Sequence, residues 1–100
     1  MSVLIAGTVR VPPQNLERFR PHMEAMLAAS RAEDGCLAYS YAVDVLDAGL
    51  IRIFDAWRDE AALNAHFETP HMAEWRAAWP KFGVSDRNLS LYQIAAERPL

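Results

Sequence analysis

Two runs of alternating residues, GCLAYSYAVDV (35–45) and LIRIFDAW (50–57), form the part of the sequence that decides the fold. In the first run, large side chains alternate with small ones. In the second run, the odd-numbered residues from Ile51 to Trp57, including Asp55, share one face of an extended chain. Both patterns predict β-strands. The segment LDAG (46–49) that joins them is short and offers Gly49 for a positive φ, so the strands are expected to be antiparallel neighbours.

The residues before this hairpin predict a strand followed by a helix. Residues 2–11 are rich in Val, Ile, Leu and Thr and stop at a Pro-Pro pair, which cannot continue a ladder. From Asn15 onwards, apolar residues recur at steps of three and four, which indicates an amphipathic helix that ends before Gly35. Pro21 interrupts that pattern and predicts a kink or a second helix start.

The residues after the hairpin predict two short helices and a last strand. Asp59 is a suitable N-cap for a helix over 60–67. Thr69 is a suitable N-cap, and the proline after it suits the first position of a helix. Together they predict a new helix over 71–79 that Pro80 closes. The segment NLSLYQIAAE (88–97) alternates and predicts the fourth strand.

The element order is therefore β-α-β-β-α-(α)-β within a single domain spanning 1–100. This order predicts the α+β, ferredoxin-like fold, a four-stranded antiparallel sheet with helices on one face. The other face of the sheet would carry apolar residues such as Phe54. Because solvent-facing sheets are rarely that apolar, we expect a homodimer through the sheet faces.

Composition excludes several classes of protein. Hydrophobic residues make up 52% of the chain and charged residues 23%, which is ordinary for a folded domain. The net charge of −3 argues against a nucleic-acid partner. No apolar run is long enough to span a membrane, and the start lacks the features of a leader peptide, so no membrane association is expected. With one cysteine, no internal disulfide is possible, and we expect a cytoplasmic protein.

The stretch WRDEAALNAHFETPHMAEW (57–75) concentrates the residues that could carry chemistry. His66 and His71 could be metal ligands, with Asp55 as a third. They lie five residues apart across a helix restart, however, and this spacing does not predict a shared metal geometry, so no metal is expected. The sequence has no phosphate-binding glycine loop, dinucleotide fingerprint or nucleophile elbow, so no cofactor is expected either.

A pocket lined by aromatic side chains is the alternative use of these residues. Its walls would come from helical and strand positions that face the core: Phe19, Met23, Tyr39, Trp57, Trp75 and Trp79. Asp55 on an inward strand face is costly unless it is paired, and His66 or His71 is its nearest plausible partner. Such a pair would suit proton transfer near neutral pH. An aromatic stripe at helical spacing is, however, more often part of an ordinary core.

Over roughly residues 3–95, the chain resembles the antibiotic biosynthesis monooxygenase family. The resemblance lies in an acid before Gly-Cys, a tyrosine soon after, an aromatic, acid and tryptophan that close the third strand, and two later histidines. Those positions are Glu33, Gly35, Cys36, Tyr39, Phe54, Asp55, Trp57, His66 and His71. The resemblance implies a dimeric α+β barrel with a ligand cavity between sheet and helices.

The family also implies a reaction, since well-described members oxidise polycyclic phenols or quinols with molecular oxygen and use no metal, flavin or haem. On that basis His66 or His71 would be the base, Asp55 would orient it, and the aromatic residues would enclose a small aromatic molecule. The residue set of the haem-degrading branch is not present, because Arg76 stands near the place of its histidine. Haem degradation is therefore disfavoured.

We therefore expect a cofactor-independent monooxygenase-like protein that oxidises a phenolic or quinol-type aromatic. An isomerase or lyase that uses the same pocket, and a ligand-binding or structural dimer without turnover, are the alternatives. One contact separates an enzyme from a structural protein. In an enzyme, Asp55 should lie within hydrogen-bond reach of a histidine beside a cavity.

Overall fold

The structure is a computed structural model that describes residues 1–100. Four strands, three α-helices and a single 3-10 turn at Pro13–Asn15 account for about three quarters of the chain. In chain order the elements are β1 (Val3–Arg10), α1 (Leu16–Arg31), β2 (Cys36–Asp44), β3 (Asp47–Trp57), α2 (Glu60–Phe67), α3 (Pro70–Phe82) and β4 (Ser85–Gln93).

The four strands form one antiparallel sheet in the order β2-β3-β1-β4. The central pair β1–β3 is in continuous register from Val3 opposite Trp57 to Arg10 opposite Leu50. This arrangement confirms the predicted α+β, ferredoxin-like fold. Because β3 is central, the side chains on its inward face reach the middle of the layer between sheet and helices.

The core fills that layer. Alternation places Ile51, Ile53 and Trp57 inward, and each is at most 3% exposed. The helices contribute an apolar stripe at steps of three and four that meets this face. The stripe consists of Phe19 and Met26 from α1, Leu63 from α2, and Met72, Trp75 and Ala78 from α3.

The hairpin between β2 and β3 is tighter than predicted. Its turn is Val45-Leu46, so the prediction of a four-residue turn with a positive φ at Gly49 is wrong. Gly49 lies within β3, where its carbonyl accepts a hydrogen bond from the Val11 amide at 3.0 Å. Asp44 stabilises the tighter turn by accepting a hydrogen bond from the Leu46 amide at 2.9 Å.

The prediction that Pro80 closes its helix is wrong, and of the two outcomes predicted at Pro21 a second helix start does not occur. Helix α1 runs through Pro21 without a second start, and α3 runs through Pro80 to end at Gly83, whose φ is 74°. The last turn of α3 persists because it is held from outside the helix. The Asn15 side-chain amide donates to the Phe82 carbonyl at 2.9 Å, and the Phe82 ring packs 4.9 Å from that of Phe19. Strand β4 begins at Ser85, three residues earlier than predicted.

The outward face of the sheet carries no helix. At its centre Phe54 is 41% exposed and lies opposite Ala6 on β1 and Ser40 on β2. Tyr92 on β4, 51% exposed, lies opposite Leu4. This face is mainly made of small and apolar side chains. None of the three helices combines the length and the hydrophobicity that a membrane crossing requires.

Candidate active site

Asp55 is a buried acid on the central strand. Its position between Ile53 and Trp57 directs the side chain toward the helices, where it is 2% exposed. Its one hydrogen-bond partner is the indole N–H of Trp57, which donates to Oδ2 at 2.7 Å. Burial raises the pKa of Asp55 to about 6, and the hydrogen bond from Trp57 opposes that rise in part. The carboxyl group can therefore change charge close to neutral pH.

Asp55 faces a cavity of about 620 Å³ between the inward face of the sheet and α3. This volume is within the range of pockets that bind small organic molecules. The wall is largely apolar and aromatic, and its residues come from all four strands, from α3 and from the link between α3 and β4. They are Ile5, Tyr39, Tyr41, Ile53, Asp55, Met72, Trp75, Arg76, Trp79, Pro80, Val84, Arg87 and Leu89.

The two histidines share a carboxylate, but it is not that of Asp55. His66 Nδ1 and His71 Nε2 lie 2.6 Å and 2.8 Å from the same oxygen, Glu33 Oε2. Asp55 hydrogen-bonds with neither histidine, so the predicted Asp55–histidine contact is wrong. The tertiary structure explains the difference. The turn between α1 and β2 places the Glu33 carboxylate at the junction of α2 and α3, where it bonds to both histidines in place of Asp55.

The spacing argument about the histidines is also wrong. The new helix that begins after Thr69 brings the His71 ring close to the His66 ring, with centroids 6.0 Å apart. Together with Glu33 they offer ligand atoms that lie within 4.8 Å of one another and could hold a metal ion. Because both nitrogens already bond to the carboxylate oxygen, a metal would have to displace those two hydrogen bonds.

His66 connects this group to the cavity through Tyr39. A carboxylate only accepts, so His66 donates through Nδ1 and its Nε2 is left as an acceptor. The Tyr39 hydroxyl lies 3.4 Å from Nε2, in hydrogen-bond range. Burial lowers the pKa of His66, and the interaction with Glu33 opposes that change. Burial also raises the pKa of Tyr39, so both groups are held in their neutral forms.

The remaining predicted residues divide into three groups. Tyr39, Trp75 and Trp79 line the Asp55 cavity. Behind that wall, Trp57 is fully buried, and Phe19 stacks on Trp75 at a centroid distance of 4.9 Å. Outside the cavity, His66 is buried at the Glu33 junction, while Met23 and His71 line other hollows beside α1.

Sequence reasoning missed three polar residues of the cavity: Tyr41, Arg76 and Arg87. Tyr41 had a signal, because it follows Tyr39 by two residues on one strand and must share its face. Arg76 also had one, since it lies three residues before Trp79 on the predicted helix and so shares a side with it. Arg87 had none, because the fourth strand was predicted to begin one residue after it.

Comparison with known proteins gives a family and close structural relatives. The sequence profile of the family described as "Antibiotic biosynthesis monooxygenase" matches residues 2–78. The Synechocystis protein sll1783, which has no described function, is 31% identical over 98 residues, covering 98% of this chain and 67% of that protein. YcnE of Bacillus subtilis, which carries a provisional monooxygenase name, is 29% identical over 69 residues, covering 69% of this chain and 73% of that protein.

A solved structure from Deinococcus radiodurans, titled as a candidate antibiotic biosynthesis monooxygenase, has the same fold. It superposes with a TM-score of 0.88 and covers 100% of this chain and 98% of its own. Its sequence identity of 22% supports the fold alone.

Proposed function

Because the chain belongs to the antibiotic biosynthesis monooxygenase family, we propose that it oxidises a phenolic or quinol-type aromatic with molecular oxygen in the Asp55 cavity. One observation carries this proposal. A buried carboxyl with a pKa of about 6 faces an aromatic-lined cavity large enough for a fused-ring molecule. A general base works best when its pKa lies near the working pH, and this acid meets that condition.

Asp55 is the proposed catalytic base, in place of either histidine. It lines the cavity, while the Nδ1 of His66 and the Nε2 of His71 are directed at Glu33. The ionised carboxylate accepts the phenolic proton and leaves an electron-rich phenolate. Trp57 holds the carboxylate by its 2.7 Å hydrogen bond, so the oxygen that faces the substrate has a fixed position.

The phenolate then reacts with molecular oxygen, which is the oxidant. It transfers one electron to oxygen, and the radical pair combines to form a C–O bond at the ring carbon para to the phenolate oxygen. A proton returns to the outer peroxide oxygen. Where that ring carbon carries hydrogen, as in the enol form of anthrone, loss of its C–H proton with cleavage of the O–O bond gives a quinone and water. Where it carries a hydroxyl group, as in a 1,4-quinol, loss of the hydroperoxide group together with the hydroxyl proton gives a quinone and hydrogen peroxide. One phenol and one oxygen molecule are consumed, and the walls of Trp75 and Trp79 shield the intermediates from bulk water.

Tyr39 is proposed to position the substrate. When its hydroxyl donates to His66 Nε2, its oxygen lone pairs face the cavity as acceptors. They can then accept a hydrogen bond from the hydroxyl group of the substrate. Glu33 fixes the His66 tautomer on which this orientation depends.

Oxygen uptake with hydroquinone, 1,4-dihydroxynaphthalene and anthrone tests the proposal. We expect uptake that persists with a chelator and rises with pH through about 6 as Asp55 ionises. Asp55→Asn should lower the rate by at least about 100-fold, the usual contribution of a general base. Asp34→Asn is the matched control, because Asp34 is exposed and pairs only with Arg58.

Other outcomes would contradict the proposal and favour a different class. Conversion of a substrate without oxygen uptake, lost in Asp55→Asn, would indicate an isomerase or lyase that uses the same base. Binding of these compounds without any conversion would indicate a ligand-binding protein.

A further inference from the structure

Two arginines on the cavity wall have no acidic partner. Arg76 comes from α3 and Arg87 from β4, and both line the cavity. By contrast, Arg10, Arg20, Arg52 and Arg58 each form an ion pair with a carboxylate. The only hydrogen bond of the Arg76 guanidinium is to the Phe67 carbonyl at 3.3 Å, and Arg87 has none. Arg18, Arg31 and Arg98 also form no ion pair, but Arg76 and Arg87 are the two arginines that line this cavity.

Asp55 does not neutralise these charges. It forms no ion pair with either arginine, and its pKa is raised by burial with only Trp57 opposing. The positive charge of Arg87 acts instead on Tyr41. Burial raises the pKa of the Tyr41 hydroxyl, and the charge of Arg87 opposes that rise. The cavity therefore has an acidic group on its β3 wall and two cationic groups on the walls from α3 and β4.

The wall also has a surplus of hydrogen-bond donors. The indole N–H of Trp79, another cavity residue, is buried without a partner. The two guanidinium groups only donate, and one of the two Asp55 oxygens already accepts from Trp57. A ligand rich in acceptors complements such a wall, and a planar anion suits arginine best because it can accept two hydrogen bonds from each guanidinium.

From these observations, we infer that the substrate is an aromatic phenol that carries an anionic substituent, which Arg76 and Arg87 bind while the phenolic hydroxyl faces Asp55. This inference rests on the proposed function, because it describes the substrate of the same cavity. The anionic substituent provides binding energy remote from the reacting oxygen and sets the direction in which the rings enter. A carboxylate and a sulfonate share this chemistry.

Calorimetric titration without oxygen tests the inference with three ligands on one ring system: 2-naphthol, 6-hydroxy-2-naphthoate and 6-hydroxynaphthalene-2-sulfonate. Both anions should bind at least about 10-fold more tightly than 2-naphthol, as expected for one or more charge-assisted hydrogen bonds. The preference should fall as salt is added. A preference for the naphthoate over the sulfonate would identify a carboxylate as the natural group, and the reverse a tetrahedral anion.

Variants assign the effect to residues. Arg76→Gln and Arg87→Gln should each reduce the preference for the anions, and the double variant should abolish it while 2-naphthol binds as before. Arg18→Gln is the matched control, since it removes the same charge from an exposed arginine outside the cavity. Equal binding of the three ligands, or a preference that survives in the double variant, would overturn the inference.

The result separates this inference from the proposed function. Oxygen uptake with neutral phenols, combined with no anion preference, would overturn the inference alone. An arginine-dependent anion preference without oxygen uptake from hydroquinone, 1,4-dihydroxynaphthalene or anthrone would overturn the proposed function alone.

Discussion

At the scale of single residues, burial of the Asp55 carboxylate costs free energy, and its surroundings offset that cost only in part. The carboxyl is 2% exposed, receives one hydrogen bond and has no cationic partner. Its pKa rises from 3.8 to about 6, so the folded protein binds a proton more tightly than the unfolded chain does. The contribution of Asp55 to stability therefore falls as pH rises from about 4 to about 6, and it then levels off.

We predict that Asp55→Asn stabilises the protein at neutral pH. The amide keeps an acceptor for Trp57 but cannot ionise, so the gain should be about 1 to 3 kcal/mol at pH 7.5 and should vanish below pH 4. Urea unfolding from pH 4 to 7.5 measures it, with Asp34→Asn as the exposed control. A loss of stability at pH 7.5 would contradict the assigned burial cost.

The sequence predicted the position of the Asp55 carboxyl in the site but not the role of the Glu33 carboxyl. Alternation along β3 was sufficient to place Asp55 inward. The partner of the histidines could not be inferred in the same way, because Glu33 lies 33 residues before His66 in an irregular turn. Only the path of that turn decides whether Glu33 or Asp55 meets the imidazoles.

At the scale of elements, the junction between α2 and α3 positions the histidines through Thr69. Its hydroxyl donates to the His66 carbonyl at 2.7 Å and accepts from the Met72 amide at 3.4 Å, so it joins the last turn of one helix to the first turn of the next. The predicted N-caps at Asp59 and Thr69 are confirmed, because capping depends on local chemistry. Gly49 and Pro80 were mispredicted because distant residues, Val11 and Asn15, decide their surroundings.

We predict that Thr69→Ala lowers the free energy of unfolding by about 1 kcal/mol, the usual effect of losing an N-cap side chain. Thr69→Ser retains the hydroxyl and should change it by less than about 0.5 kcal/mol. Thermal and urea unfolding of the two variants measure the difference. Equal destabilisation by alanine and serine would show that the methyl group, rather than the hydroxyl, matters at this junction.

At the scale of the whole molecule, the outward face of the sheet is exposed, because all three helices pack on the other face. The apolar residues at its centre, with Phe54 at 41% exposure, form a surface that a second copy could bury. A twofold dimer places this face against itself, and a stable interface buries about 1,200 to 2,000 Å² in total. We propose the homodimer on these grounds, as the family resemblance also implies.

We predict that Phe54→Lys shifts the protein toward monomer, because the ammonium group would be buried without a partner at the centre of the interface. Sedimentation velocity from about 1 to 50 μM measures the change. Phe67→Lys is the matched control, since Phe67 is 39% exposed but belongs to α2 rather than to the sheet. A wild-type protein that is monomeric throughout, or a dimer unaffected by Phe54→Lys, would refute the sheet-face interface.

The Trp57–Asp55 hydrogen bond provides an intrinsic optical probe. The Trp57 indole is wholly buried and donates to an acid that changes charge near neutral pH. Ionisation of that acid alters the electric field along the indole ring, and both the emission maximum and the quantum yield of an indole respond to such a field. Once Trp75 and Trp79 are replaced by phenylalanine, the remaining fluorescence follows the protonation of Asp55 in real time, without an attached dye.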